Sequence, residues 1–351
     1  MVEFDLPVVL CKLWEAGSPS PEDDETSSRR KKLAHSTMLL AMAIRWGTSH
    51  VTSEYHMCQY KQYMKAYLEC VKTIFPEIGW RPNHHASLHL DEFLRRYGPM
   101  HGWWMFPFKR VIGSLQKTNT NHKIGQLEQT MLGAFCAAAR VKALLQHPDA
   151  PKVVRDASNI LNVCCSASDD GALAADLGVF HTLTQTGETN WTVNGDAKVE
   201  EAPALVKRAL VAAGIEGHLD VQLDMFSRCT VSGIKYSTRE ATRTDCNIFF
   251  NESGGRLVPG VIEYIFAIRS ANGKPRYFVA ACRNLPVPDL VTDPFKAYKD
   301  FGARLWKDEH ATELDIVSLM EGTFCHAISM PWLDGILVMK PLKRTVRGPD
   351  S

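Results

Sequence analysis

With 351 residues, a 45% hydrophobic share and a formal net charge of +1, the chain has apolar material for two cores and no whole-molecule field that draws in or repels a polyanion. Any nucleic-acid site must therefore be a local patch. Ten cysteines scattered without CxxC spacing fit reduced, buried thiols, and the sequence shows neither a signal-peptide pattern nor an apolar run of membrane-spanning length, so a soluble, non-secreted protein is expected.

In chain order, residues Gly17 to Ser28 are mostly Ser, Pro, Asp, Glu and Thr, a composition that predicts a disordered loop. Arg29-Arg30-Lys31-Lys32 follows, readable as a solvated helix start or as a nuclear import signal. From Leu33 to Phe75 apolar residues recur at helical spacing, best seen in Met57, Tyr60, Met64, Tyr67, Val71 and Phe75, and Pro76 ends the run. One amphipathic helix is expected there. Further helices are predicted from His89 to Tyr97, stopped by Gly98-Pro99, and from Gln126 to Gln146, with Leu127, Met131, Phe135, Ala138 and Leu145 on one side. Asp149 to Pro151 closes the helical half.

Residues 166–202 read as a polar linker, and a short helix is expected at Ala204 to Ala213. The period then changes from helical to two. Thr230 to Tyr236, Cys246 to Phe250, Val261 to Ile268, Tyr277 to Cys282 and Ile336 to Met339 read as strands, with turn signals at Ser253-Gly254-Gly255 and Asn272-Gly273. The predicted class is α+β: an all-helical domain over 1–165, the linker, and a β-rich domain over 203–345 forming a small antiparallel barrel or sandwich. Neither GxGxxG, GxxxxGK[ST] nor GxSxG occurs, so the nucleotide loops and nucleophile elbow of those kinds are absent.

The densest chemistry lies between Pro82 and Glu128. His84, His85 and His89 fall within six residues, followed by His101, Trp103 and Trp104. His85 and His89 are spaced to share a helix face, but no cysteine or carboxylate is spaced to complete a tetrahedral site, and Asp91 and Glu92 are expected to point away from His89. These histidines are therefore expected to pack or cap helices, with no metal bound. Lys109, Arg110, Lys117, Asn121 and Lys123, beside planar rings, form the candidate nucleic-acid contact; the plainer reading is a solvated face.

Arranged as PNHHASLHL, GPMHGWWMFPF, TNTNHK and a following Glu, with KKLAHSTMLLAMAIRWGTSH upstream, residues Leu6 to Leu145 resemble the DUF4218-type segment of CACTA (En/Spm) transposases, in particular the basidiomycete fungal versions. The resemblance implies a remnant of an RNase H-like region whose enzymes use three carboxylates and two divalent ions to cut and join DNA. It places Glu128 at the third carboxylate. The first two acids of the pattern belong upstream of residue 1, so this chain is expected to lack them and to be catalytically incomplete. Lys109 stands where the family usually has an acid, which reverses the local charge. Mg²⁺ is implied only if a complete site were assembled.

The β-rich half looks like the tail that accompanies these fungal proteins, without a defined activity. DNA is the implied partner, in the nucleus or otherwise the cytoplasm, with a protein partner possible through the β-rich domain. A reading from another class is a stand-alone protein-interaction module with no nucleic-acid role.

Overall fold

The computed structural model describes residues 3–14, 24–105, 109, 112–113, 125–145, 151, 153, 191–194, 198–215, 222–231, 234–252, 256–269, 275–319 and 324–343. The chain divides into two compact units, one made of Met1–Trp103 with Thr189–Ser351 and the other of Trp104–Glu188. Helices in chain order are α1 (Asp5–Trp14), α2 (Glu25–Gly47), α3 (Glu54–Ile74), α4 (Pro82–Leu88), α5 (Leu90–Tyr97), α6 (Leu127–Leu145) and α7 (Ala204–Ala212). Of these, α6 belongs to the second unit and the others to the first.

The helical run expected from Leu33 to Phe75 is two helices. Its break follows from Gly47 and the Ser/Thr-rich connection after it, whose side-chain oxygens compete for backbone groups. The Thr48 hydroxyl donates to the Ile44 carbonyl (2.8 Å), and Ser53 caps α3 by accepting from the His56 amide (3.4 Å) while its hydroxyl meets His56 Nδ1 (2.7 Å). Gly47 also lets the two helices close on each other, because a Cβ there would lie 2.7 Å from the Tyr60 ring. Part of the expected loop is helical too. Asp24 accepts from the Ser27 amide (2.9 Å) and starts α2 at Glu25, a carboxylate N-cap that composition alone conceals. Hydrogen bonding from the Ser27 side chain, then from its amide, holds the Asp24 carboxyl below its ordinary range. Residues 17–23 lie outside the described residues.

The strands are β1 (Trp191–Asn194), β2 (Lys198–Glu201), β3 (Gln222–Phe226), β4 (Arg228–Val231), β5 (Ile234–Ser237), β6 (Asn247–Asn251), β7 (Leu257–Arg269), β8 (Pro275–Pro286), β9 (Arg304–Ser318), β10 (Phe324–Leu333) and β11 (Ile336–Pro341). Six of them close an antiparallel barrel in the order β7-β6-β10-β11-β9-β8, with β8 returning to β7. Closure depends on β7 and β9, whose 13 and 15 residues are long enough to pair with two neighbours each. Leu257–Val261 pairs with β6 while Gly260–Arg269 pairs with β8. Likewise Arg304–Lys307 pairs with β11 while Trp306–Ser318 pairs with β8. Outside the ring, β3 and β2 extend from β7, and β1, β4 and β5 form a separate three-stranded sheet.

Side chains alternate between two faces along each strand. Val258, Ile262, Ile265, Val279, Ala281, Trp306, Val317, Phe324 and Met339 fill the barrel interior. Phe266, Ile268, Phe278, Ala280 and Leu314 face outward and are covered by Val206, Ala209 and Leu210 of α7. A third cluster joins Phe4, Val8, Met38 and Met42 of the N-terminal segment to Phe295, Tyr298 and Phe301, which lie in and between two short 3-10 turns (Pro294–Ala297 and Lys299–Phe301), and to Leu305 and Val338 of the barrel. The first helices are thus built into the same unit as the barrel.

Several strand expectations need correction. Thr230 to Tyr236 is not one strand but the paired β4 and β5, with Val231 opposite Ile234. The stretch read as linker contains β1 and β2, while 166–190 lies outside the described residues. The two turn signals also lie outside them, although the flanking strands pair as each signal requires, Asn251 with Leu257 and Arg269 with Pro275. The β-rich half is a barrel rather than a sandwich.

Candidate functional site

The histidine block folds as a layer of short helices laid on α3. Tyr60 donates to the Ser87 carbonyl (2.8 Å), Lys61 pairs with the buried Asp91 (2.8 Å), and Arg95 grips Glu54 with two nitrogens (3.1 and 2.7 Å). Pro82 begins α4, where it fits because a first-turn residue has no helical partner for its amide. Gly98, at φ +75°, ends α5.

On this layer the histidines separate by role. His84 accepts from the Arg81 amide through Nδ1 (3.3 Å) and stands edge-on to Trp80, ring centroids 5.7 Å apart. It is a capping residue. His85 and His89 face each other with Nε2 atoms 3.2 Å apart. His89 occupies the junction between α4 and α5, which turns its Nδ1 toward Glu92 Oε1 at 3.3 Å. The expectation that Glu92 points away from His89 is therefore wrong: the chain turns at His89, so i,i+3 neighbours meet across the junction. Asp91 does point elsewhere, into its ion pair with Lys61.

His101 donates through Nε2 to the Thr48 carbonyl (2.7 Å) and packs its ring on His50 (4.0 Å between centroids). Trp103 donates to the Gly98 carbonyl (3.0 Å) and meets Phe93 and Tyr97. Both are fastenings of the α2–α3 connection and of the end of α5. Trp104 opens the second unit. Glu128 lies exposed in the first turn of α6, and Lys109 is exposed. Arg110, Lys117, Asn121 and Lys123 lie outside the described residues. Among the described residues no group of three or more His, Cys, Asp or Glu side chains gathers around a metal position.

Two charged clusters in the first unit escaped sequence reading. Arg283 of β8 clamps Asp315 of β9 with two nitrogens (2.9 and 2.8 Å) and reaches Glu252 at the end of β6. Counting by twos from Val279 and Ala281 on β8, and from Val317 on β9, puts Arg283 and Asp315 on the interior face. Burial raises the Asp315 carboxyl above its ordinary range against the pull of Arg283. Burial also opposes the Arg283 charge, but the two carboxylates outweigh it and hold the guanidinium above its ordinary value. The alternation was legible, since Arg283 continues the inward series of an apolar strand.

The second cluster lies where α2 and α3 meet the barrel. Lys340 of β11 is 6% exposed, donates to the Glu3 carbonyl (2.9 Å) and lies 4.5 Å over the Phe301 ring. Burial, then the nearby Arg45 charge, lowers its ammonium to about 8. Arg45 donates to the Asp300 carbonyl, and Tyr63 donates to the Asp300 carboxylate (2.6 Å). No sequence pattern marks Lys340, which closes the apolar run Ile336-Leu337-Val338-Met339 as an edge lysine would.

Compared with protein-family models, with curated proteins and with solved structures, the chain has no match. Among the described residues no helix is long and apolar enough to cross a membrane.

Proposed function

We propose that the chain is a transposase-derived DNA-binding protein that carries no complete strand-transfer site. The reading starts from the resemblance of the block around His84, His85, His89 and Glu128. One observation supports it in three dimensions: the α4–α5 layer exposes Trp80 (57%), Phe93 (41%) and Tyr97 (63%) on the same two helices and their cap as the exposed Arg81, Arg95 and Arg96. Rings that stack on bases, interleaved with guanidinium groups that neutralise phosphates, are the parts a sequence-tolerant nucleic-acid surface uses. Arg81 and Arg96 carry the phosphate role, since Arg95 is held by Glu54.

The resemblance matches Glu128 to one of the family's acids, and two-metal chemistry needs three. Mg²⁺ is therefore not expected to support cleavage by the isolated chain.

The reading is tested by fluorescence anisotropy with labelled single-stranded and duplex DNA from 50 to 200 mM salt. Binding is expected to weaken steeply with salt. A Trp80→Ala/Tyr97→Ala pair is expected to weaken single-strand binding by at least about tenfold, at about 1–3 kcal/mol for each lost stack. Failure to bind either form overturns the proposal and leaves a protein-interaction module, for which β2, an edge strand among the described residues, offers a strand-pairing surface.

A further inference from the structure

We propose that His85 and His89 form a binding site for a divalent transition ion, zinc in the first instance, with solvent filling the remaining positions. The site is separate from any nucleic-acid or strand-transfer role and stands whether or not the chain binds DNA. Three independent features of the pair carry it.

The first is spacing. The two Nε2 atoms are 3.2 Å apart. Two nitrogens on one tetrahedral ion, each about 2.0–2.1 Å from it, lie about 3.3 Å apart. The imidazoles thus already stand near the edge length that chelation requires, with ring centroids 4.7 Å apart at 74°.

The second is the carboxylate behind one of them. Histidines that bind metals characteristically give their other ring N–H to a carboxylate or carbonyl, which fixes the tautomer and makes the ligating nitrogen more basic. Glu92 Oε1 is 3.3 Å from His89 Nδ1. With that Nδ1–H donated to Glu92, the Nε2 lone pair of His89 is turned toward His85.

The third is access. His85 is exposed, and the His89 side chain is 44% exposed. Ion and water can reach the gap. In the metal-free protein the Nε2–H of His85 donates to Nε2 of His89. On binding, that proton leaves Nε2 while Nδ1 of His85 gains one from solvent, so both Nε2 lone pairs face the ion with no net change of charge on the rings. Imidazole donors favour zinc, copper or nickel over Mg²⁺, which takes oxygen ligands. The chain's two possible metal dependences are separable on that ground.

The experiment is a calorimetric titration of the reduced full chain with zinc chloride, alongside His85→Ala, His89→Ala, the double variant, Glu92→Gln and His84→Ala. Ions captured by thiols or by histidines outside the block are common to every variant and cancel in the comparison. The wild-type chain is expected to take up one equivalent more than the double variant, and each single alanine to weaken that equivalent by more than tenfold. Glu92→Gln is expected to weaken it about tenfold. His84→Ala, which removes a capping residue, is expected to leave it unchanged. Circular dichroism on each variant verifies that the helices persist, as expected for exposed positions. Unaltered stoichiometry and affinity in the double variant overturn the proposal, and so does loss of the equivalent in His84→Ala alone.

Discussion

Replacing Lys340 with methionine keeps most of the unbranched apolar stem at the junction of α2, α3 and the barrel and removes its charge. The folded protein holds the Lys340 proton weakly, at about 8 against an ordinary 10.5. That interval corresponds to about 3 kcal/mol of penalty on the charged form. The sign follows from proton uptake: between about 8 and 10.5 the unfolded chain binds the proton more tightly, so the penalty is complete below that window and disappears as pH rises through it. The variant is therefore expected to gain on the wild type by about 3 kcal/mol more at pH 7 than at pH 10.5. Its absolute gain at pH 7 is reduced by about 1 kcal/mol for the lost hydrogen bond to the Glu3 carbonyl. Urea unfolding of both proteins under reducing conditions across this range measures the difference. Cys229, pushed up to about 12, and Cys282 and Cys325, to about 11, also titrate at high pH, but equally in both proteins. A wild-type-to-variant difference that stays level from pH 7 to 10.5 refutes the reasoning.

Three other substitutions probe the frame. Arg283→Met leaves Asp315 and Glu252 without their shared cation in a half-buried site, and urea denaturation is expected to show a loss of about 1–3 kcal/mol, below the value for a fully buried pair because solvent screens part of the interaction. Gly260→Ala sets a Cβ 2.5 Å from the Cys282 carbonyl oxygen and 2.9 Å from Phe250, so a thermal scan is expected to show destabilisation of about 1–3 kcal/mol or more; an unchanged midpoint removes the claim that β7 and β8 are crowded there. Ser53→Ala deletes the α3 cap and its contact with His56, and is expected to cost about 1 kcal/mol by chemical denaturation.

Helices with strong punctuation were readable in the sequence. Gly98-Pro99 fixed the end of α5, and the stripe through Met57, Tyr60 and Met64 marked the buried face of α3. Strands with apolar alternation, such as β6 and β7, were likewise visible. What escaped was governed by partners far along the chain. The charged stretch from Lys307 to Glu313 hides β9, which is a strand because β8 and β11 supply its hydrogen bonds. Pro331 hides β10 at the place where its register with β11 shifts. At the candidate site, the i,i+4 relation of His85 and His89 could be read directly. The approach of Glu92 could not, because it depends on how two short helices meet at His89.

The cluster that seats α1 and α2 draws its partners from the far end of the polypeptide, with Met42 and Phe295 separated by roughly 250 positions. At ribosomal speeds of about 5–20 residues per second, the apolar faces of Phe4, Val8 and Met38 wait roughly ten to fifty seconds for the aromatic residues that cover them. During that interval α3 supplies part of the cover, through Tyr63 and Tyr67, and the rest of the surface stays open. Truncation before Phe295 is therefore expected to leave the apolar faces of Phe4, Val8 and Met38 without their aromatic cover, a surface prone to aggregation.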